Sequence, residues 1–141
     1  MITALVVAKA PIAGRSKTRL VPPLSAGQAA SLQGALLRDT VAACLGETAD
    51  VRLLVGDDAE RLALAALLPD VPIELQRGAG LASALAHGIE DHLAGGAVAI
   101  ISSDLPGLPR EAIGRAHAAL EAGADVVLGP AMDGGYWLVA M

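Results

Sequence analysis

Short apolar runs alternate along the chain with longer stretches of helical periodicity, and no other feature constrains the fold as strongly. The apolar runs predict strands over 2–8, 51–56, 72–76, 97–101, 125–129 and 136–141. The stretches between them predict helices over 25–45, 58–68, 81–93 and 109–122. Because most of the runs are continuously apolar and are joined by helices, they favour a mainly parallel sheet covered on both faces, a three-layer α/β fold.

Local signals mark the ends of these helices. Ser25 and Gln28 have the spacing of a capping box, which predicts that the first helix begins at this point. Gly46, Pro69 and Gly123 follow the first, second and fourth helical stretches and are typical helix terminators. The last apolar run, 136–141, would leave an exposed sheet edge unless it is paired. We therefore expect it to insert beside the fourth strand.

The length and composition favour one domain, residues 1–141, without a linker or internal repeat. The chain has no Phe, one Trp and one Tyr, so its core has to be built from Ala, Leu, Val and Ile. Cys44 is the only cysteine and cannot form an intramolecular disulfide, which suits a reducing compartment. No apolar run approaches the roughly 20 residues that span a bilayer, and the N-terminus does not resemble a signal peptide. We expect a soluble cytoplasmic protein.

Positive charge is concentrated at the N-terminal end of a chain whose net charge is −5. Residues 1–38 carry five cations and no acid, whereas residues 39–141 carry 15 acids and five arginines. Four of the cations lie within residues 9–20. A general nucleic-acid surface would spread cations over a face and combine them with aromatic side chains. The pattern instead favours a small anionic partner.

The predicted topology brings three polar loops to one edge of the sheet. Loops 9–24, 102–108 and 130–135 follow the first, fourth and fifth predicted strands. Ligands of open α/β sheets bind at the carboxyl ends of the strands, near a change in strand order. We therefore expect the three loops to line one pocket.

The first loop contains Lys17-Thr18 but does not match a P-loop. That motif would need glycines where the chain has Pro11 and Ser16, and a helix beginning at Lys17. Pro22 and Pro23 exclude such a helix, so the cations should lie on an extended loop before the first helix. A dinucleotide fingerprint fails as well, because the loop has only one glycine.

Two interpretations of this loop remain. It is either a solvated basic loop or a phosphate-binding loop, and the concentration of lysine and arginine favours phosphate. Glycine would allow close approach of the backbone to the ligand. The lysine ammonium group would act as a point charge, and the planar arginine guanidinium group would make two parallel hydrogen bonds to a phosphate. The candidate phosphate ligands are Lys9, Gly14, Arg15, Lys17 and Arg19.

Asp104 follows the fourth strand and is the candidate ligand for Mg²⁺ or Mn²⁺, because such ions are often held by one carboxylate together with phosphate oxygens. The alternative is an aspartate that caps a turn before Pro106. Asp133, in the third loop, is a candidate for sugar hydroxyls or for a metal-bound water, but a hairpin turn explains it equally well. Gly78 and Gly80 precede the third helix, where backbone N–H groups could contact a nucleotide.

The histidines and the cysteine show no catalytic spacing. His87 and His92 are five residues apart on one predicted helix and do not share a face, so a zinc site is not indicated. His117 and Cys44 fall within helical periods. No Ser-His-Asp pattern is recognisable, and a hydrolase triad therefore has little support.

Three ordered motifs resemble the bacterial rSAM/selenodomain-associated transferase family, the domain of unknown function 2064. They are KAPIAGRSKTRL at 9–20, SDLPGL at 103–108 and GPAMDGGYWL at 129–138. The resemblance covers nearly the whole chain and implies a Rossmann-like GT-A fold that uses nucleotide-diphospho sugars. It implies that the basic loop holds the donor phosphates and that Asp104 occupies the metal position. The candidate catalytic residues are Lys17, Arg15 and Asp104.

Residues 77–88 are more similar to 2-phospholactate guanylyltransferase and molybdenum-cofactor nucleotidyltransferases. In those proteins a GLxxAL stretch helps to hold the nucleotide, and the present chain has Ser83 where an Asn is expected. Three functions therefore stay open: glycosyl transfer, nucleotidyl transfer with release of pyrophosphate, and a catalytically silent nucleotide-binding module. The two enzymes would act on a small-molecule acceptor.

The family continues beyond the position that corresponds to Met141, with a segment that helps to shape the acceptor side. We therefore expect the 141-residue chain to bind a nucleotide with Mg²⁺ but to transfer poorly. A homodimer or a separate partner would be needed to complete the acceptor pocket.

Overall fold

The computed structural model describes residues 1–141 and contains a six-stranded sheet. The elements in chain order are β1 (Ile2–Val7), a 3-10 helix (Thr18–Leu20), α1 (Ala26–Leu45), β2 (Val51–Val55), α2 (Asp58–Leu67), β3 (Ile73–Leu75), α3 (Gly80–Leu93), β4 (Ala97–Ser102), α4 (Ala112–Glu121), β5 (Val127–Pro130) and β6 (Tyr136–Ala140). The strand order is β3-β2-β1-β4-β6-β5, and β6 runs in the direction opposite to that of the other five strands. The predicted mainly parallel α/β sheet is confirmed.

The order of strands changes direction at β1, which lies between β2 and β4. Val7 at the end of β1 is in register with Ser102 at the end of β4. The chain leaves these two carboxyl ends in opposite directions, and this creates a crevice between the following loops. The fold therefore places loops 9–24 and 102–108 beside each other. β6 lies beside β4 in the sheet, as predicted, with Leu138 opposite Ile101.

Alternate residues of the strands enter two separate apolar layers, because successive side chains of a strand point to opposite faces. The larger layer lies against α1, α2 and α4 and includes Val6, Leu37, Leu64 and Ile113, all of which are buried. The smaller layer consists of Leu5, Leu54 and Ile100, with partly buried neighbours that include residues of α3. Aliphatic side chains fill both layers, as the composition required.

Gly88 lets α3 pack closely on the sheet. A Cβ at this position would lie 2.8 Å from Leu5 Cδ2 and 3.3 Å from Leu54 Cδ2. By contrast, a Cβ at Gly27 in the first turn of α1 would meet only Ser25 Oγ, at 3.9 Å. The two glycines therefore form a matched pair, in which one is required by packing and the other is not.

We expect Gly88→Ala to lower the free energy of unfolding by about 1–3 kcal/mol, because the added methyl group overpacks a closed interface. Gly27→Ala is expected to leave the stability unchanged or to raise it by up to about 1 kcal/mol, because alanine is the better helix former. Urea unfolding of both variants checks this pair. Equal effects of the two substitutions would show that α3 does not depend on the close contact.

The ends of the helices follow the predicted signals at α1 but not at α4. Ser25 Oγ accepts a hydrogen bond from the backbone N–H of Gln28, and the Gln28 side chain accepts one from the N–H of Ser25, which completes the capping box. The helix predicted from residue 109 begins only at Ala112, because Glu111 has a left-handed backbone with φ of 59°. In the first turn of α4, the N–H of Gly114 donates to Glu47 Oε2 at 2.9 Å.

The prediction of an extended loop before α1 is wrong. Residues 9–24 form successive turns, with backbone hydrogen bonds that join Arg15 and Ser16 to Ile12 and Leu24 to Leu20. The prolines exclude an α-helix, as argued, but they do not exclude tight turns and a 3-10 helix. The basic loop is therefore compact, and its lysine and arginine side chains are carried by turns and a 3-10 helix.

A chain of charged side chains ties the C-terminal end of α3 to β2 and β3. Arg52 Nε donates to Asp50 Oδ1 at 2.9 Å, and Arg52 Nη1 donates to Glu74 Oε1 at 3.0 Å. His92 Nε2 lies 2.8 Å from Glu74 Oε2, and Thr3 Oγ1 donates to Asp50 Oδ2 at 2.8 Å. Burial alone would raise the pKa of Asp50, but the hydrogen bonds from Thr3 and Arg52 lower it overall.

This lowered pKa makes part of the stability depend on pH. A carboxyl whose pKa is lower in the folded than in the unfolded state contributes stability above its unfolded value, and this contribution is lost as the pH falls through the folded pKa. We expect Asp50→Asn to destabilise the protein at pH 7 and to have a smaller effect as the pH falls below the usual value of 3.8. Denaturant unfolding over this pH range provides the measurement. A loss of stability in Asp50→Asn that does not change with pH would contradict the lowered pKa of Asp50.

No helix of the protein is both long enough and apolar enough to cross a lipid bilayer.

Candidate functional site

The basic loop is fixed to the domain by buried polar side chains beneath it. Ser16 is buried, and its Oγ accepts from the N–H of Ile12 at 2.9 Å and donates to the carbonyl of Ala10. Gln33 of α1 is also buried, and its Nε2 donates to the carbonyl of Lys9 at 3.1 Å. These hydrogen bonds satisfy groups that would be costly to leave unpaired. The loop backbone is therefore held in place before any ligand binds.

Lys17 joins the basic loop to the loop after β4. Its backbone is left-handed, with φ of 51°, and only 19% of its side chain is exposed. The ammonium group donates to Oδ1 of Asp104, which lies 87 positions further along the chain. The two residues that the sequence analysis assigned to phosphate and to metal are therefore in direct contact.

Arg15 points to the end of β2. Its Nη2 donates to Asp57 Oδ2 at 3.1 Å, and Asp57 also caps α2 by accepting from the N–H of Glu60 at 2.8 Å. The hydrogen bond from Glu60 and that from Arg15 lower the pKa of Asp57. Both partners of this ion pair are about half exposed, so it contributes little to stability and is free to open.

Two adjoining clefts lie at the carboxyl ends of β1 and β4. The first has a volume of about 540 Å³ and is lined by Val7, Ala8, Lys9, Gly56, Glu60, Gln76, Leu81, Leu85, Ile100, Ser102, Ser103, Asp104, Tyr136 and Trp137. The second, of about 650 Å³, is lined by Lys9, Arg15, Ser16, Lys17, Thr18, Arg19, Leu20, Leu32, Gln33, Leu36, Asp104 and Pro106. Lys9 and Asp104 belong to both. We call them the apolar cleft and the basic cleft.

The basic cleft carries four cationic side chains and one carboxylate. Arg15 and Lys17 are each paired with one acid, whereas Lys9 and Arg19 form no salt bridge. A cleft with such an excess of positive charge attracts small anions, and phosphate groups above all. The chain as a whole is negative, so this attraction is local.

Aromatic and aliphatic side chains form one wall of the apolar cleft. Trp137 packs over Gly129, where a Cβ would lie 2.7 Å from the indole ring, and its Nε1 donates to the carbonyl of Pro130 at 3.1 Å. Tyr136 and Leu81 remain more than half exposed. An apolar surface with a few polar groups at its edge is typical of sites for ligands that contain an aromatic ring.

The predicted contacts at Gly78, Gly80 and Ser83 do not line either cleft. Gly78 and Gly80 have φ of 84° and 82° and form the turn into α3. Ser83 lies directly beneath Gly78, since a Cβ there would be 2.0 Å from Ser83 Oγ. The turn positions Leu81, which does line the apolar cleft. A direct role of these three residues in binding stays a prediction.

Asp133 also lies outside the lining of both clefts. It belongs to the hairpin that joins β5 to β6, and its Oδ1 accepts from the N–H of Gly135 at 3.0 Å. The carboxylate thereby closes the turn, and a contact of Asp133 with a sugar or with a metal-bound water stays a prediction. Gly14, with φ of 81°, shapes a turn of the basic loop and is likewise not in the lining.

The histidines and Cys44 lie outside both clefts. Cys44 is buried in the larger apolar layer, and burial raises the pKa of its thiol to about 12, so it stays protonated. His92 contacts Glu74, and His87 Nδ1 lies 3.3 Å from the carbonyl of Arg77. These contacts agree with the structural role predicted for them.

Comparison with known proteins identifies the family. Residues 39–141 match the model of DUF2064, described as uncharacterized proteins conserved in bacteria. The chain belongs to the DUF2064 family. The resemblance seen in the motifs of the sequence is thereby confirmed.

A solved structure extends the comparison of this DUF2064 chain. A crystal structure from Desulfovibrio desulfuricans G20, provisionally described as a nucleotide-diphospho-sugar transferase, superposes with a TM-score of 0.82 at 29% sequence identity. The match covers 99% of the DUF2064 chain but 62% of the other protein, so the chain spans less than two thirds of its length. A search among curated proteins found no match.

The donor set around Asp104 decides what kind of metal ion the DUF2064 chain could hold. No group of three or more His, Cys, Asp or Glu side chains is arranged around a common point. Asp104 offers one carboxylate, 67% exposed, and Lys17 already donates to one of its oxygens. Such a set would bind Mg²⁺ or Mn²⁺ weakly by itself and more tightly where phosphate oxygens supply further ligands.

Sequence reasoning missed most of the apolar cleft. Glu60 and Gln76 were overlooked entirely. Leu81 and Leu85 belong to the GLxxAL stretch, and Tyr136 and Trp137 belong to the GPAMDGGYWL motif, but none of these four side chains was named as a binding residue. One signal was present: the only two aromatic residues of the chain directly follow the Asp-Gly-Gly turn, at the edge of the sheet where ligands bind.

Proposed function

We propose that this chain forms the nucleotide-binding part of a transferase whose donor is a nucleotide-diphospho sugar. The observation that carries the proposal is the meeting of an apolar cleft and a basic cleft at Lys9 and Asp104. A nucleotide sugar needs both environments, because the flat faces of its base stack on apolar groups and its diphosphate carries two negative charges. The similarity to the D. desulfuricans protein supports the same donor class.

The base and ribose would occupy the apolar cleft, with the base against Trp137 and Leu81. Glu60 and Gln76 are the polar groups of this cleft that can hydrogen-bond to the base edge or to the ribose. The diphosphate would lie at the junction, where Lys9 and Lys17 approach it from the basic loop. The sugar and a small-molecule acceptor would lie beyond the diphosphate.

In this arrangement the side chains act by positioning the donor and by stabilising charge. When the bond between the sugar and the diphosphate breaks, negative charge accumulates on the leaving nucleoside diphosphate. Lys17, Arg15 and Arg19 line the basic cleft and would stabilise that charge, because prearranged cations need little reorganisation. Asp104 would hold Mg²⁺ or Mn²⁺, and the ion would add Lewis-acid stabilisation of the same phosphates.

Nucleotidyl transfer is the second candidate, and the extent of the basic cleft favours it. The cleft continues past Asp104 to Arg19, which has no acidic partner, and it is large enough to receive a pyrophosphate. A nucleoside triphosphate would then place its outer phosphates in the basic cleft. The base would occupy the same position in both reactions, so binding of the base cannot distinguish them.

The products distinguish the candidates. The chain is incubated with Mg²⁺, small-molecule acceptors and either nucleotide sugars or nucleoside triphosphates. Release of a nucleoside diphosphate from the sugars in the presence of acceptor supports glycosyl transfer, whereas release of pyrophosphate from the triphosphates supports nucleotidyl transfer. Tight nucleotide binding without either product would identify a silent binding module. Absence of nucleotide binding would contradict all three.

A further inference from the structure

Lys17 is held in an unusual conformation beside Asp104. It is one of only two residues other than glycine with a positive φ, and L side chains rarely adopt this conformation. About four fifths of its side chain is covered, although lysine side chains are usually exposed. The ammonium group of this side chain donates to the Asp104 carboxylate. A left-handed backbone at such a residue persists only where the surrounding structure holds it in place.

The Asp104 carboxylate is the point at which two cations would compete. It lines both clefts, and Lys17 is its only salt-bridge partner. The other acid in the apolar cleft, Glu60, accepts from the N–H of Gly56 at 3.3 Å and is not within salt-bridge distance of Lys17. A divalent ion that approached Asp104 would therefore meet an ammonium group already bonded to the same carboxylate.

We infer that Lys17 is a built-in counterion that prevents metal binding at Asp104 until a nucleotide is present. Two positive charges repel each other strongly at such short distances, so the ion cannot bind while Lys17 stays in place. A diphosphate carries more negative charge than one carboxylate and would draw the flexible ammonium group onto its oxygens. Asp104 would then be free for the metal. The inference deepens the proposed function and rests on it for the nucleotide step.

The first test measures metal alone and needs no nucleotide. Binding of Mn²⁺ is followed by electron paramagnetic resonance for the wild type and for Lys17→Met, which removes the charge and leaves an unbranched side chain one atom shorter. We expect Lys17→Met to bind Mn²⁺ about tenfold more tightly or better, since a charge-assisted hydrogen bond to Asp104 no longer competes. Adding Asp104→Asn to Lys17→Met is expected to abolish the gain.

Lys9→Met is the matched control, because Lys9 lines the same junction and makes no salt bridge. If general electrostatic repulsion alone limited metal binding, Lys9→Met and Lys17→Met would have equal effects, and the inference would be overturned. It would also be overturned if wild type and Lys17→Met bound Mn²⁺ equally. Lys17→Asn provides a second variant, since asparagine tolerates the left-handed backbone but is too short to reach Asp104.

The second test adds a nucleoside diphosphate to the wild type. We expect the nucleotide to increase Mn²⁺ affinity strongly in the wild type and much less in Lys17→Met. If no nucleotide binds, the proposed function fails, while the comparison of the metal-only affinities still decides whether Lys17 blocks Asp104. A nucleotide that binds without changing the Mn²⁺ affinity of the wild type would refute the counterion role and leave the donor site intact.

Discussion

Replacing Asp104 by asparagine is expected to reduce metal-dependent transfer by at least about a hundredfold, the size of loss seen when a charge-stabilising group is removed from an active site. The side chain keeps its shape but loses the charge that would hold Mg²⁺. Because the basic cleft loses its only acid, the affinity for nucleotide without metal should stay the same or increase. The two effects have opposite signs, and a general loss of folding could not produce them.

The measurement combines steady-state turnover with calorimetric titration of nucleotide, each with and without Mg²⁺. Asp125→Asn is the control, because Asp125 is an exposed aspartate between α4 and β5 that lines neither cleft. An Asp104→Asn variant that responds to Mg²⁺ as the wild type does would refute the metal assignment.

Replacing Lys17 by alanine is expected to weaken nucleotide binding by about 1.5–3 kcal/mol, or roughly ten- to a hundredfold in Kd, because one charge-assisted contact to phosphate is lost. Lys17→Arg should restore only part of the affinity, since the planar guanidinium group is larger than the ammonium group that it replaces. Arg15→Ala should weaken binding in the same direction, and it also releases Asp57.

Calorimetric titration with the nucleotide of highest affinity gives these Kd values. Arg38→Ala serves as the control, because it removes an exposed cation from α1 outside both clefts. If Lys17→Ala and Arg15→Ala both keep the affinity of the wild type, the loop is only a solvated basic segment, which is the alternative that the sequence left open.

The sequence predicted what depends on local pattern and on general rules of topology. The capping box at Ser25 marked the start of α1, and the apolar runs indicated the strands to within two residues at each end. The rule that ligands bind at the carboxyl ends of parallel strands predicted that Lys17 and Asp104 lie at the same edge of the sheet. Their direct contact agrees with that reasoning.

Features that depend on three-dimensional packing were not predictable in the same way. Nothing in the residues around Lys17 indicates a left-handed backbone at a lysine, and the successive turns that contain it are seen only in the structure. The Asp-Gly-Gly pattern fits a binding loop and a hairpin turn equally well, and only the structure shows that Asp133 caps its own turn. Most side chains of the apolar cleft were not assigned a binding role, because they belong to separate elements that only the fold brings together.

Trp137 allows the central claim to be tested with one measurement, because it is the only tryptophan of the chain and lines the apolar cleft. Its fluorescence is recorded while nucleoside diphosphates, nucleotide sugars and triphosphates are titrated with Mg²⁺. A base that stacks against the indole should quench the emission saturably, and Lys17→Ala should shift the same curve to higher ligand concentration. The account would be contradicted if no nucleotide changed the emission, or if calorimetry detected a bound nucleotide that left Trp137 unaffected.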